Sequence, residues 1–366
     1  MTVQTKFPAE LASTGITGLD DILRGGLARN RVYLLEGTPG TGKTTAALQF
    51  LMAGAAEGER GLYITLSETE DELLSTARSH DWTLSDLVTI FELIPPENLL
   101  DEQQQQSLLY SSDLELGETT RLIFEAIEKV KPTRVVIDSL SEIRLLAGGS
   151  LRYRRQILAL KHYFAKHGAT VLMLDDMTTD ANDKTVHSVA HAVVRLEELA
   201  PAYGAERRRL RVVKYRGQAF RGGFHDFLIR HGGLDVFPRL VASEHRVDFK
   251  REALASGVER LDTLLGGGVA RGSSTLVLGP AGTGKSLLVM QFVMEAIKRG
   301  EKAAMFIFDE ELGLLFARAK GLGIDLQALR DSGALLIEQV DAAELAPGEF
   351  SHKVRNCVQA ENLQTI

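Results

Sequence analysis

The feature that most constrains this chain is the glycine-rich segment GTPGTGKT at residues 37–44. It fits the pattern G-x-x-x-x-G-K-[ST] and follows the apolar run at residues 32–35. After a strand, such a turn points backbone N–H groups into a concavity that fits phosphates, and the next helix adds the positive end of its dipole. The pattern predicts a phosphate-binding loop in which Lys43 reaches the β- and γ-phosphates and Thr44 offers its hydroxyl to Mg²⁺.

The chain carries this loop twice. Residues 279–286 read GPAGTGKS after the apolar run 274–278, and Lys285 follows Lys43 by 242 positions. The same offset relates three further pairs outside the loop: Gly15 and Gly257, Asp20 and Asp262, Gly26 and Gly268. A long ungapped match at one period indicates an internal duplication. We therefore predict a first domain at 1–240, a linker at 241–254, and the front part of a second domain at 255–366.

An aspartate at the end of a later strand completes the pattern in the first copy. The apolar run 134–137 ends in Asp138, the position from which a carboxylate holds the water shell of Mg²⁺. Asp138 follows Lys43 by 95 positions, so its counterpart in the second copy would fall near position 380. We expect that the second copy is incomplete in this sequence and leaves an unpaired hydrophobic sheet edge.

Composition narrows the class of protein. Hydrophobic residues make up 44% of the 366 positions and charged residues 25%, which is typical of a soluble globular protein. The net charge of −7 argues against a generally basic nucleic-acid binder. Cys357 is the single cysteine, residues 1–11 lack an apolar signal segment, and no apolar run approaches the roughly 18 residues of a membrane span. These features predict a cytoplasmic protein that does not enter the membrane.

Strands and helices alternate through most of the first copy, which predicts an α/β fold with a mostly parallel sheet flanked by helices. Apolar runs at 61–66, 88–93, 134–138 and 170–174 are the predicted parallel strands, and 303–308 is the first of them in the second copy. Runs at 193–196, 210–214 and 227–229 predict an antiparallel extension of the sheet. The pattern fails at 95–117, where four successive glutamines indicate a mobile excursion before a helix at 118–130.

The strongest basic cluster contains five arginines: Arg207, Arg208, Arg209, Arg211 and Arg216. It has three interpretations. The cluster is the solvated side of an edge strand, where charge blocks aggregation; it belongs to a nucleotide site between subunits; or it contacts nucleic-acid phosphates without reading sequence.

The two loops, the block TGITGLD at residues 14–20 with Gly25 and Gly26, and the segment KYRG at residues 214–217 together resemble the KaiC family. These are RecA-like P-loop ATPases with two tandem domains, known from the cyanobacterial circadian clock. The resemblance covers the first domain and the front half of the second. It implies an ATP-binding hexamer that holds nucleotide and Mg²⁺ between neighbouring subunits.

The resemblance also implies site residues by position. Those that contact the nucleotide would be Gly40, Thr41, Gly42, Lys43, Thr44 and Thr45 in the first copy, and Gly282, Thr283, Gly284, Lys285, Ser286, Leu287 and Glu310 in the second. Lys214, Tyr215 and Arg216 would reach the nucleotide of the adjacent subunit, with Lys214 and Arg216 as catalytic cations alongside Lys43. The metal residues would be Thr44, Asp138 and Ser286.

The chain departs from the family at the end of the second predicted strand. Where the family often has paired glutamates, this chain has Ser67 followed by Glu68, and Asp309 followed by Glu310. One carboxylate is able to orient the attacking water, so we expect slow hydrolysis with Glu68 as the base. The alternative is that Glu68 is a carboxylate at a helix N-terminus, where the dipole favours negative charge.

Three functions remain in competition at this point. The first is a KaiC-like ATPase whose intact second domain is a serine/threonine autokinase, with target residues outside this sequence, signalling partners and a clock-type regulatory role. The second is a DNA-dependent recombination ATPase similar to the archaeal RadA paralogues. The third is an ATP-gated scaffold that does not hydrolyse ATP, in which Ser67 marks lost catalysis.

Overall fold

The computed structural model of the chain describes residues 10–93, 108–177, 185–244, 248–308 and 310–366. The chain divides into two compact units, Met1–Ala202 with Glu206–Arg239, and Tyr203–Ala205 with Leu240–Ile366. Among the described residues, no helix is both long enough and apolar enough to cross a bilayer.

The first unit is built on a nine-stranded sheet. Its elements in chain order are β1 Leu11–Ala12, α1 Thr17–Ile22, β2 Leu27–Ala28, β3 Val32–Glu36, α2 Lys43–Ala56, β4 Gly61–Thr65, α3 Glu70–Ser79, β5 Val88–Glu92, α4 Leu108–Val130, β6 Arg134–Asp138, α5 Leu140–Ala147, α6 Ser150–Lys166, β7 Thr170–Asp175, α7 Thr185–Val189, β8 Ala192–Leu199, β9 Arg207–Tyr215, β10 His225–Arg230 and β11 Gly233–Phe237. The strand order is β11-β10-β9-β8-β3-β7-β6-β4-β5. The six strands from β8 to β5 in this order are parallel, and β9, β10 and β11 extend the sheet antiparallel, as the sequence predicted.

Both faces of this sheet are covered. Alternate residues of β3 enter different apolar clusters: Tyr33 and Leu35 pack with α2 on one face, and Val32 and Leu34 pack with α5 and α6 on the other. Because successive side chains of a strand point to opposite faces, a strand buried on both sides has to be apolar throughout. This explains why β3, β4 and β6 appear in the sequence as continuous apolar runs, and it brings their carboxyl ends together at one edge.

The repeated block before each loop is a turn fastened by one aspartate. The Asp20 carboxylate accepts hydrogen bonds from the Thr14 backbone N–H at 2.9 Å and the Thr14 hydroxyl at 2.7 Å. Asp262 accepts the equivalent bonds from Ser256, both at 2.7 Å. The glycine after Thr14 and the one after Ser256 share a φ of 76°, a left-handed conformation that favours glycine. The block therefore maintains the path of the chain into the strand that precedes the loop.

A buried charge network lies at the amino-terminal ends of the strands, opposite the loop. The Arg134 side chain is fully buried, and its guanidinium donates to Glu59 at 2.5 Å, to Glu57 at 3.1 Å and to the Ser13 carbonyl at 2.6 Å. Arg29 also pairs with both glutamates. These arginines hold the pKa of Glu59 below its usual value, against the effect of burial. Arg271 and Glu301, 242 positions after Arg29 and Glu59, form the same pair in the second unit.

Replacing Arg134 by Met is expected to lower the free energy of unfolding of the first unit by about 3 kcal/mol, because removing one partner of a buried ion pair leaves the other charge uncompensated. Urea unfolding, followed by tryptophan fluorescence from Trp82, measures the change. The control is Arg121→Gln, whose ion pairs with Glu118 and Glu125 are exposed and are expected to contribute little. Equal destabilisation by the two substitutions would contradict a structural role for the buried network.

The elements of the second unit are β12 Ala253–Leu254, α8 Glu259–Leu264, β13 Val269–Ala270, α9 Lys285–Lys298, β14 Ala303–Ile307, α10 Leu312–Gly321, α11 Leu326–Asp331, β15 Leu335–Gln339 and α12 Pro347–Glu361. They include two separate strand pairs, β12 with β13 antiparallel and β14 with β15 parallel. A small apolar cluster lies between α9, α10, α11 and the β14–β15 pair.

The run 274–278 that precedes the second loop does not form a strand. The side chains of Leu276 and Leu278 are 79% and 81% exposed. In the first unit the equivalent strand β3 is paired by β7 and β8. Among the described residues no strand pairs with 274–278, so the segment has no neighbours to hold it extended.

The helix predicted at 118–130 begins ten residues earlier, at Leu108. Gly117 did not end it, because a helix-interior glycine costs only about 1 kcal/mol relative to alanine. The four glutamines at 103–106, predicted to be mobile, lie outside the described residues.

Candidate nucleotide-binding site

The first glycine-rich loop joins β3 to α2 and wraps around the amino group of Lys43. This Nζ donates to the carbonyl oxygens of Gly37 at 2.7 Å and Thr38 at 3.1 Å. Gly40 and Gly42 have φ values of 84° and 94°, and α2 begins directly after Gly42. Gly40 is exposed, and a Cβ there would meet no atom within 4 Å, so nothing packs against the turn at this position. The backbone has the curvature required for phosphate binding.

The other predicted contacts of this loop occupy distinct places. The Thr41 hydroxyl donates to the Thr38 carbonyl at 2.7 Å and so fixes the shape of the turn. Thr44 lies in the first turn of α2, close to the Tyr63 side chain. Thr45 is buried, and its Oγ1 lies 3.5 Å from Nε2 of His80.

Asp138 lies beside the loop at the end of β6, where the sequence placed it. Its carboxylate is 6% exposed and accepts a hydrogen bond from the Tyr63 hydroxyl at 2.6 Å. Burial raises the pKa of Asp138, the nearby Asp176 raises it further, and the Tyr63 hydrogen bond and Lys43 oppose this. A carboxylate held in so little water is stabilised when a cation comes next to it.

Two residues of this site were not predicted from the sequence. Asp176, which follows β7, forms an ion pair with Lys43 at 2.9 Å. Tyr63 is fully buried in β4, and its hydroxyl donates to Asp138 on the Thr44 side of the site. In the sequence Tyr63 is one apolar position of a buried strand. Only the pairing of β4 with β6, which aligns Tyr63 with Val136 and Thr65 with Asp138, brings its hydroxyl to the site.

The residues present fit a magnesium ion that is held largely by its nucleotide. Among the described parts of the chain, no group of three or more His, Cys, Asp or Glu side chains is arranged to hold a metal ion. Mg²⁺ in nucleotide sites is usually bound through one or two protein groups and the phosphates. The hydroxyl of Thr44 and the buried Asp138 carboxylate match that requirement.

Tyr63→Phe is expected to weaken Mg²⁺-dependent ATP binding roughly tenfold, because it removes the hydrogen bond that orients Asp138 and leaves the fold of a buried ring intact. Titrating MgCl₂ into protein with a fluorescent ATP analogue measures the metal concentration at half-saturation. The matched control is Tyr153→Phe, another fully buried tyrosine on α6. Unchanged metal dependence in Tyr63→Phe would contradict the role of the hydroxyl.

Glu68 lies between β4 and α3 with one carboxylate oxygen shielded from solvent. Its backbone is fixed by Thr65, whose hydroxyl donates to the Glu68 carbonyl at 2.7 Å and accepts from the Glu68 N–H at 2.9 Å. Oε2 of Glu68 is buried and has no hydrogen-bond partner among the described residues. Burial raises the pKa of Glu68, and the negative charge of Asp138 adds to the effect.

Glu68 lies at the N-terminus of helix α3 but does not cap it. Helix α3 is capped by Thr69, whose hydroxyl accepts from the Glu72 N–H while the Glu72 carboxylate accepts from the Thr69 N–H. This reciprocal pair already occupies the helix terminus. Glu68 precedes the cap, so its carboxylate is available to a ligand.

The second loop repeats the geometry of the first. Nζ of Lys285 donates to the carbonyls of Gly279 at 2.7 Å and Pro280 at 2.8 Å. Gly282 and Gly284 have φ values of 79° and 86°, and Thr283 donates to Pro280 as Thr41 does to Thr38. Ser286 and Leu287 follow in the first turn of α9.

Glu310, the counterpart of Glu68 in the second copy, forms an ion pair with Arg318 at 2.7 Å. Asp309, the residue before it, lies outside the described residues. The carboxylate of Glu310 thus has an ionic partner, whereas Oε2 of Glu68 has none among the described residues.

Lys214, Tyr215 and Arg216 lie away from the first loop. Lys214 is in register with Val193 and through it with Leu34, and the Arg216 N–H donates to the His191 carbonyl, one residue before β8. Gly37 is three to five residues farther along the strands and two strands across. At about 3.3 Å per residue and 4.8 Å per strand, the Cα of Arg216 is offset from the loop by roughly 16 Å along the sheet and about 10 Å across it. Neither cation reaches the loop of its own unit.

The three residues differ in exposure. Arg216 is exposed, and Lys214 is partly buried. The Tyr215 side chain is buried, with its hydroxyl donating to the Gly26 carbonyl at 3.2 Å and accepting from the Ala28 N–H at 2.8 Å. The buried ring of Tyr215 supports the fold, so only its backbone remains for the predicted contact with the nucleotide.

The arginine cluster is not on an edge strand, so that interpretation is wrong. Strand β9 is paired with β8 on one side and β10 on the other. Its arginines face acidic residues of β8: Arg208 pairs with Glu198 at 3.3 Å, Arg209 with Glu197 at 2.8 Å, and Arg211 approaches Glu197 at 3.8 Å. These carboxylates offset the charge that would attract nucleic-acid phosphates.

Comparison with known proteins agrees with this geometry. The family described as "ATPase: KaiC" matches the chain at residues 12–241 and again at 254–363. The chain belongs to the KaiC ATPase family. "Circadian clock oscillator protein KaiC" of Thermostichus vulcanus is 32% identical over 342 residues, which is 92% of this chain and 65% of that protein. The protein of the same name from Synechococcus elongatus is 33% identical over 330 residues, 88% of this chain and 62% of that protein.

The chain thus spans a little under two thirds of the length of these curated KaiC proteins. Membership of the KaiC family accounts for both loops and for the RecA-like α/β sheet, and it implies nucleotide binding. The match covers each copy separately, in agreement with the duplication predicted from the 242-residue period.

Proposed function

We propose that this protein binds ATP with Mg²⁺ and hydrolyses it slowly at the subunit interfaces of a homo-hexamer. One observation supports this most strongly: the loop, Glu68 and Asp138 lie together, while Lys214 and Arg216 lie too far away to serve the same loop. A neighbouring copy could supply them. Two copies arranged head to tail, each giving its cations to the next, form a heterologous interface that closes into a ring.

On the loop side, each residue has a separate role. Lys43 exchanges its ion pair with Asp176 for the β- and γ-phosphates, while the backbone around Gly40 and Gly42 donates to phosphate oxygens. Thr44 and Asp138 would hold Mg²⁺, which when bound neutralises charge on the phosphates. Glu68 accepts a hydrogen bond from the attacking water through its shielded, unpartnered oxygen.

The residues supplied by the adjacent copy act on the negative charge that develops during the reaction. As the γ-phosphoryl bond breaks, negative charge develops on oxygens that Arg216 of the adjacent copy is able to engage with its planar guanidinium. Turnover would then require assembly. Ser67 leaves a single carboxylate at the strand end, so we infer slow turnover.

We infer two ATPase domains, at 1–240 and from 255 onward, joined by a linker at 241–254. The second loop has the geometry of the first. In the intact protein the second domain would be a serine/threonine autokinase, and the protein would act in the cytoplasm with signalling partners in a clock-type regulatory role. The supporting observations are the family match and the printed name of the curated relatives.

One alternative function has a specific observation in its favour. Ser67 in place of a glutamate would suit a scaffold that binds ATP, assembles and does not hydrolyse it. DNA-dependent recombination has less support, because Arg208 and Arg209 are paired with glutamates.

Native mass and phosphate release, each measured with and without Mg-ATP on the same preparation, test the proposal. Hexamers that form with Mg-ATP and release phosphate support it. Hexamers that retain ATP for hours without phosphate release indicate the scaffold, and a chain that stays monomeric with ATP contradicts the shared site. Salt-dependent binding of single-stranded DNA that stimulates phosphate release would favour the recombination ATPase.

A further inference from the structure

Three cationic side chains meet at the end of the short helix α7. Nζ of Lys214 donates to the carbonyl of His187, Nη2 of Arg216 donates to the carbonyl of Ser188 at 2.6 Å, and Nζ of Lys161 donates to the carbonyl of Val189 at 3.0 Å. The three acceptors are successive residues. Lys161, which comes from α6, therefore lies beside the pair Lys214 and Arg216, although 53 positions separate it from Lys214 in the chain.

This cluster differs from the arginines of β9 that are neutralised by nearby carboxylates. None of the three cations has a carboxylate within 4 Å among the described residues, whereas Arg208, Arg209 and Arg211 are all close to glutamates. Burial and repulsion between the cations shift the pKa values of the two lysines in the same direction. Burial first, and then the charge of Arg216, lowers the pKa of Lys161, and the same two causes lower the pKa of Lys214.

The present acceptors of these cations are weak. Backbone carbonyls at the end of a one-turn helix carry only a partial negative charge. Phosphate oxygens are charged acceptors that form shorter and stronger hydrogen bonds with lysine and arginine. A polyanion brought to this surface would relieve the repulsion and give each cation a better acceptor.

We propose that Lys161 is a third cation of the shared site and contacts the triphosphate of ATP bound to the loop of the adjacent copy. The inference rests on the proposed function, since it uses the same interface as Lys214 and Arg216. It adds a phosphate contact from a different element, α6, that the sequence pattern KYRG does not include. Lys161 then belongs to the substrate-binding residues of the neighbouring active site.

The first test compares three variants on α6: Lys161→Gln, Lys161→Arg and Lys166→Gln. Lys166 is an exposed lysine five positions farther along the same helix and serves as the control. We expect Lys161→Gln to raise roughly tenfold the ATP concentration that gives half-maximal assembly in native mass measurements, because a charged hydrogen bond to phosphate is lost. Lys161→Arg should keep most of the effect. Wild-type assembly in Lys161→Gln would overturn the inference.

A second test asks whether Lys161 acts across the interface. Lys161→Gln and Lys43→Ala chains with different affinity tags are co-expressed, and mixed assemblies are isolated by tandem purification. In such assemblies a Lys161→Gln loop next to a Lys43→Ala neighbour has a complete site, so phosphate release should exceed that of either variant alone. Arg216→Gln mixed with Lys43→Ala is the reference.

The outcomes separate the two claims. Recovery in both mixtures supports the inference. Recovery with Arg216→Gln but not with Lys161→Gln means that Lys161 has only a structural role, which overturns the inference and leaves the proposed function intact. Recovery in neither mixture, or a failure of differently tagged wild-type chains to copurify, contradicts the shared site itself.

Discussion

Glu68→Gln is expected to lower the rate of phosphate release about 1,000-fold while ATP binding and assembly stay within about twofold of the wild type. A general base contributes typically 10²- to 10⁴-fold, and glutamine keeps the shape of the side chain but cannot accept the proton of the attacking water. The buried and unpartnered Oε2 of Glu68 is the group that is lost. Single-turnover phosphate release with ATP in the purified assembly measures the change.

The matched control for this substitution is Glu70→Gln, two residues farther on in the first turn of α3 and exposed to solvent. It is expected to leave phosphate release within twofold. If Glu68→Gln hydrolyses ATP as fast as the wild type, Glu68 is not the base. If the wild type itself releases no phosphate, the ATP-gated scaffold is the better description.

Arg216→Gln is expected to lower the rate of phosphate release per subunit by about 1,000-fold. This is the low end of the range for an arginine finger, an arginine that stabilises the charge of the transition state. Its guanidinium is exposed and bonded only to a backbone carbonyl among the described residues, so it is free to exchange that acceptor for a phosphate. Because this arginine serves a neighbouring copy, phosphate release per subunit in the wild type should also fall as the protein is diluted below its assembly concentration.

The control for Arg216 is Arg209→Gln on β9, the strand that ends just before Arg216, and the Arg209 guanidinium is already paired with Glu197. We expect it to keep most of the activity. A monomer that hydrolyses ATP as fast per subunit as the assembly would contradict any requirement for Arg216 from a neighbour, whatever the effect of the substitution.

Local sequence determined the loops. The glycines at positions 40 and 42 have the left-handed φ that the turn requires, and Lys43 reaches back to the loop carbonyls within the same eight residues. All of these contacts lie within a few positions of one another, so the spacing of residue types was sufficient to predict them. The same holds for the Asp20 turn and for its copy at Asp262.

The contacts between strands could not be predicted from the local sequence pattern. Tyr63 and Asp138 are 75 positions apart, and the register of β4 against β6 is what joins them. Asp176 follows β7 in the sequence, and the pairing of β3 with β7 places it against Lys43. The run 274–278 forms no strand for the related reason that a strand needs neighbours, and those of β3 come from much later in the chain.

The sequence by itself thus determined the family, the duplicated loops and the α/β class, because these depend on residue types at short, fixed spacings. The tertiary structure alone decided which charges are compensated. Arg209 of β9 lies against a glutamate of β8, while Arg216, one residue past the end of β9, lies with two lysines and with no carboxylate within 4 Å among the described residues. The physical reason is that electrostatic partners are chosen by strand register and helix packing over distances of a few ångströms, which a count of charges along the chain does not contain.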